Sequence, residues 1–233
     1  MQHEPAAIWS GTRLIVFDTE ISLSQNVILS HGRSALSALI KNIGHLYELL
    51  HYMPNVIDVY LHPDIPLVLT EMCFHQGMAS SIMFNNSERG RNESIRTYKA
   101  RIERYEYVQS FCKFQGLHVS ILTSRIVRNQ MVHIDEHLEK ALRKPNTGWF
   151  IDGAIAYRDQ FSAPDGISIQ FCRTFIASEE VLLHLGNEIP IRGLWHEATA
   201  VLAAVWGTPP TEPPPSPSHS RPNPLPQPPQ TEA

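Results

Sequence analysis

QNVILSHGRSALSALIKNIGHLYELLH, Gln25 to His51, carries the pattern that decides the fold. Leu36, Leu39, Ile40, Ile43, Leu46, Tyr47 and Leu50 recur every three or four residues. That spacing puts them on one face of an α-helix. Pro54 closes the segment, and Gly32 and Gly44 weaken it slightly. Outward from this stripe, a second helix starts after Asp64, with Pro66 in its first turn, and reaches about Phe84. The polar run Asn85–Asn92, with Gly90, reads as a loop. A third helix runs from about Asn92 to Gln115 on the spacing of Ile95, Tyr98, Ile102, Tyr105 and Cys112. Its polar face holds Arg96, Lys99, Arg101 and Arg104, diluted by Glu93, Glu103 and Glu106. A fourth helix from Leu117 to Arg143 has Val127, Met131, Ile134, Leu138 and Ala141 as its seam. Four long helices with short connections predict a mainly α chain with an up-and-down bundle over residues 22–144.

The pattern changes after Pro145. Trp149–Tyr157, Ile167–Ile176 and Val181–Leu185 read as strands, with a turn at Ser162–Gly166. A last helix begins near Pro190 with Leu194, Trp195, Ala198, Val201, Leu202 and Val205. Residues 145–207 are therefore expected to form a small antiparallel sheet plus a helix. Residues 1–21 read as a flexible N-terminus. From Thr208 to Ala233 the chain has 11 of its 18 prolines and almost no large apolar residue. Such a segment cannot bury enough surface to offset its ordering entropy, so a disordered tail is expected. It is either a solvated tail or a ligand for a proline-binding domain.

The 233 residues carry 19 Lys+Arg against 23 Asp+Glu, a net charge of −4. That excludes a surface that is basic overall and leaves room for a local basic cleft. A 42% hydrophobic share supports one buried core. No apolar run reaches the roughly 18 residues of a membrane span. MQHEPAAIWSGTR has no basic region followed by an apolar stretch, so no secretory signal is expected. Cys73, Cys112 and Cys172 are odd in number and widely spaced, which reads as reduced thiols of a cytoplasmic protein. Neither a phosphate-binding P-loop nor a Rossmann glycine fingerprint is present, and no cofactor is expected.

One segment carries chemistry, Arg125-Ile-Val-Arg128-Asn129-Gln-Met-Val-His133-Ile-Asp135-Glu136-His137-Leu138. With 14 Arg and 12 His in the chain, a bare Arg/His pair five apart is expected about 0.7 times by chance; requiring Asn after the Arg lowers this to about 0.03. Arg128-Asn129-x-x-x-His133 resembles the R-x4-6-H signature of the HEPN (higher eukaryotes and prokaryotes nucleotide-binding) superfamily. The segment is also similar to an uncharacterised bacterial group with an R-N-x-x-x-H-x-D-E-x-L motif, matched at Asp135, Glu136 and Leu138. The resemblance covers the bundle, residues 22–144, and implies a metal-independent endoribonuclease working as a homodimer. His133 would then act on the ribose 2′-hydroxyl or the leaving 5′-oxygen. Arg128 would stabilise charge on the scissile phosphate, Asn129 would orient it, and Arg125 would bind RNA. An imidazole pKa near 6.5 suits proton transfer at neutral pH, and guanidinium offers planar donors to phosphate. Such a protein would be a toxin or defence protein, with an antitoxin protein as a further partner. Non-catalytic members imply the alternative of a binding module.

Helical geometry sets a condition on this reading. Arg125, Asn129, His133 and His137 lie along one face, whereas Arg128 lies about 140° round from His133. The two share a site only at the seam of a cleft, which a dimer would supply. The same residues contain His133-Ile-Asp-Glu136-His137, an H-x-x-E-H pattern for a zinc hydrolase. That reading needs a third ligand, for which Glu179, Glu180, Glu188 and Glu197 are available. The basic face of the third helix reads as an RNA path or a solvated face. Trp149, Trp195 and Trp206 read as core rather than base-stacking residues, and His196-Glu197 as a surface pair.

Overall fold

The computed structural model describes residues 7–10, 13–16, 22–52, 63–124, 126, 129, 133–144, 147–158, 166–209 and 211–216. The stripe that opens the sequence reading forms α1, Leu23–Tyr52. Leu36, Leu39, Ile43, Leu46 and Leu50 have no exposed surface, and Tyr47 is nearly buried. Helix α2 is Asp64–Met83, and its first turn accommodates Pro66 because the early N–H groups of a helix have no intrahelical acceptor. Gly32 lets α1 and α2 approach closely, since a Cβ there would come within 2.9 Å of the Met83 side chain. Helix α3, Ile95–Phe114, starts at Ser94, whose hydroxyl accepts from the Thr97 N–H at 3.0 Å. Helix α4 is Ile134–Leu142 and α5 is Ile191–Trp206. These five helices make the described part of the chain mainly α.

The expected fourth helix is corrected. Leu117–Ser124 is not helical; α3 ends with Gly116 in the left-handed region at φ 67°. Helical backbone returns at Ile126 and Asn129, and α4 follows. Instead α5, from the far end of the chain, packs against α1 and α3. Leu194, Trp195, Ala198, Val201 and Leu202 enter the core that α1 begins. The third helix also differs from expectation. Ile95 is mostly exposed, and its buried side chains are Arg101, Val108 and Cys112.

The expected antiparallel sheet is mixed. Two long expected strands each break once. Thr147–Asp152 (β3) and Ile155–Ala156 (β4) part at Gly153, and Ser168–Cys172 (β5) and Thr174–Ile176 (β6) part at Arg173, both at positive φ. A Cβ on Gly153 would meet Pro66 at 2.9 Å, so the first break also seats the strands against the start of α2. The pairs β3–β5 and β4–β6 are parallel. Val181–His184 (β7) and Asn187–Pro190 (β8) then continue antiparallel from β6. Phe175, Leu182 and Ile189 join the helical core, and Ala156, Ile176 and Leu183 form a small second cluster. Within residues 1–21, read as flexible, Ala7–Ser10 pairs antiparallel with Arg13–Val16 (β1 and β2). Part of the expected disordered tail, Thr211–Ser216, lies against Arg192. Among the described residues no helix is long and apolar enough to cross a membrane.

Candidate functional site

The chain approaching the motif is held by two distant helices. Glu197, midway along α5, turns its carboxylate toward three consecutive backbone N–H groups. Ser120 and Leu122 each donate to one of its oxygens at 2.8 Å, and Ile121 donates to both at 3.0 and 2.9 Å. The Ser120 hydroxyl adds a fourth donor at 3.0 Å. Gly193, one turn earlier, leaves room for the Ile121 side chain, which a Cβ would meet at 2.7 Å. From α2, the buried Gln76 amide donates to the carbonyls of Ile121 and Ser124, both at 3.2 Å. Charge-assisted bonds to backbone N–H are among the stronger ones in a fold. Glu197 is therefore an anchor for Leu117–Ser124, not the surface pair with His196 that its neighbour suggested.

The motif begins directly after this clamp. Arg125 and Arg128 lie outside the described residues. Asn129 is helical and exposed. The His133 N–H donates to the Asn129 carbonyl at 3.1 Å, which sets the two residues one turn apart. His133 is the N-cap residue of α4, and the His137 N–H returns to its carbonyl at 3.0 Å. The imidazole is 55% exposed, with Nδ1 3.8 Å from Glu136 Oε1. Beside it, Glu136, Glu139, Lys140, Arg143 and Lys144 line an open depression of about 370 Å³. Two of the expected site residues, Asn129 and His133, thus stand together on an open surface.

Among the described residues no group of three or more His, Cys, Asp or Glu could hold a metal ion. All four proposed third ligands are engaged elsewhere. Glu179 and Glu188 pair with Arg158 at 2.7 and 2.9 Å, Glu180 pairs with Arg192 at 2.7 Å, and Glu197 holds the clamp.

The basic face of α3 is partly consumed by structure. Arg101 is buried; it donates to Glu93 and to the carbonyls of Asn85, Ser87 and Glu88. The bonds to Glu93 hold its guanidinium above the ordinary range. Arg104 donates to Gln25 on α1 at 2.7 Å. Trp195 is core and Trp206 is partly buried against it, while the Trp149 side chain lies outside the described residues.

Sequence reading missed a second cluster of reactive side-chain types. Cys172 Sγ is 3.8 Å from His184 Nδ1, and Asp152 and Arg173 pair beside them. Burial pushes the Cys172 thiol up to about 12 and the His184 imidazole down to about 4. Both are neutral at neutral pH, and both are buried. A nucleophile needs an accessible thiolate, so this cluster is part of the interior. Residues 172 and 184 join different strands, and nothing local in the sequence signals their meeting.

Comparison with models of protein families, with curated proteins and with solved structures returned no match.

Proposed function

We propose that the chain is a HEPN-like, metal-independent endoribonuclease, a cytoplasmic toxin or defence protein that acts as a homodimer. The observation that carries this reading is the pairing of Asn129 and His133, exposed one helical turn apart and directly downstream of a clamped segment. An imidazole free to reach solvent can exchange protons with a substrate, which a buried histidine such as His184 cannot. In the reaction, the ribose 2′-oxygen bonds to phosphorus and the bond to the 5′-oxygen breaks. The products are a 2′,3′-cyclic phosphate and a 5′-hydroxyl. His133 takes the 2′-hydroxyl proton, and the same residue of a second copy returns one to the leaving oxygen. Arg128 offsets charge on the phosphate, Asn129 orients it, and Arg125 binds the RNA strand. The 55% exposure of His133 leaves room for a second copy, and this supports the homodimer reading. An antitoxin protein would cover the same surface.

The approach of Glu136 to His133 favours a second reading, a non-catalytic module that binds a partner through this surface. Incubating the purified protein with a mixed RNA pool separates the two. The ribonuclease cleaves in EDTA and leaves cyclic phosphate ends. Binding without cleavage by folded protein supports the module, and cleavage abolished by EDTA contradicts the metal-independent mechanism.

A further inference from the structure

We infer that Arg192 and Glu180, at the start of α5, form a binding site for an extended proline-rich segment, which the chain's own Thr211–Ser216 fills in cis. Most of the site comes from the body of the chain. Glu180 sits at the end of a turn with φ 52°, and its carbonyl accepts from the Ile191 N–H at 2.9 Å. Its carboxylate receives Arg192 Nε at 2.7 Å and Nη2 at 3.0 Å, a two-pronged pairing that fixes the guanidinium plane. The guanidinium lies over the buried Tyr47 ring of α1, 5.9 Å from its centroid. The same Nη2 that donates to Glu180 also reaches the segment. It lies 3.3 Å from the Pro214 carbonyl and 2.6 Å from the Ser216 hydroxyl.

The chemistry matches what a proline run offers. Pro213, Pro214 and Pro215 have no N–H, so that stretch presents carbonyl acceptors alone. A fixed guanidinium supplies donors and asks for none in return. The reach also matches. Gly207 ends α5 at φ 61° and reverses the chain. From Trp206 back to Arg192 along the helix is about 21 Å at 1.5 Å per residue. Eight residue steps separate Trp206 from Pro214, and at about 3.1 Å per residue an extended chain of that length spans about 25 Å. The connection is therefore long enough to bring Pro214 back to Arg192.

A spin label at Glu212→Cys reports on the strap in the full chain. Glu212 is exposed, and the three native cysteines are buried and stay unlabelled. With Arg192 in place the label is expected to be immobilised, at any protein concentration. Arg192→Ala removes the donor, and the bound-to-free ratio should fall about tenfold or more, the factor for one lost charge-assisted hydrogen bond. A second variant changes the strap alone, with Pro213, Pro214 and Pro215 replaced by Ser together with Ser216→Ala. It leaves the body intact and should free the label equally. Equal mobility in the parent chain and both variants overturns the inference. Mobility that rises on dilution also overturns it, because the strap would then come from a second copy.

Discussion

Leu117–Ser124 and Asn129–His133 are neighbours in sequence and opposites in how they are held. The first has three backbone N–H groups on one carboxylate and two carbonyls on one amide, from helices that are distant in sequence. In the second, Asn129 and His133 are exposed, with one loose approach of His133 to Glu136. Under the proposed function, a fixed path leading into an exposed Asn129 and His133 is what a ligand-contacting surface needs. The Cys172–His184 cluster makes the same point from the other side. It has the residue types of chemistry, but burial holds both groups neutral.

The largest expected effect falls on the exposed side of this contrast. His133→Ala should lower RNA cleavage by roughly 10²–10⁴-fold, the range for a lost general acid or base. Its melting temperature should barely change, because the side chain is mostly exposed. Leu39→Ala should do the reverse. This side chain is fully buried in α1, so its loss should cost about 2–5 kcal/mol in chemical denaturation.

Acidification tests the buried cluster. His184 titrates at about 4 in the fold, against roughly 6.5 in an unfolded chain. Between these values the unfolded state binds the extra proton. The contribution of His184 is therefore complete above pH 6.5 and is lost as the pH falls toward 4, a change of order 3 kcal/mol. Denaturation midpoints measured across this window should fall with pH, and His184→Gln should flatten the slope even if it lowers the plateau. Glu197→Ala strips the clamp and should cost about 1–3 kcal/mol, the range for leaving backbone donors unsatisfied. The smallest effect belongs to Arg143→Ala. Its pair with Glu139 is exposed on both sides, and thermal melts should shift by less than the equivalent of about 0.5 kcal/mol.

What the sequence made legible follows from the range of the forces involved. The α1 stripe was readable because Leu36, Leu39, Ile43, Leu46 and Leu50 bury themselves by local period alone. Leu117–Ser124 carries a helical spacing but is not helix, because its anchor, Glu197, is more than 70 residues away and leaves no local signal. The missing signal was Gly116, whose positive φ closes α3. Arg101 was placed on a polar face, yet its bonds to Glu93 and to the Asn85–Glu88 loop draw it inside. The parallel pairs β3–β5 and β4–β6 depend on breaks at Gly153 and Arg173 that strand periodicity cannot register. Of the candidate site, the motif spacing picks Asn129 and His133, which are exposed one turn apart, whereas Arg125 and Arg128 lie outside the described residues.

The central claim is that His133 moves protons during RNA cleavage. The most direct measurement compares the parent chain with His133→Ala on the same RNA pool in EDTA, at matched folded fractions. The account predicts cleavage to cyclic phosphate ends by the parent and at least a hundredfold less by the variant, for a group in that role. Equal cleavage by both proteins would contradict it.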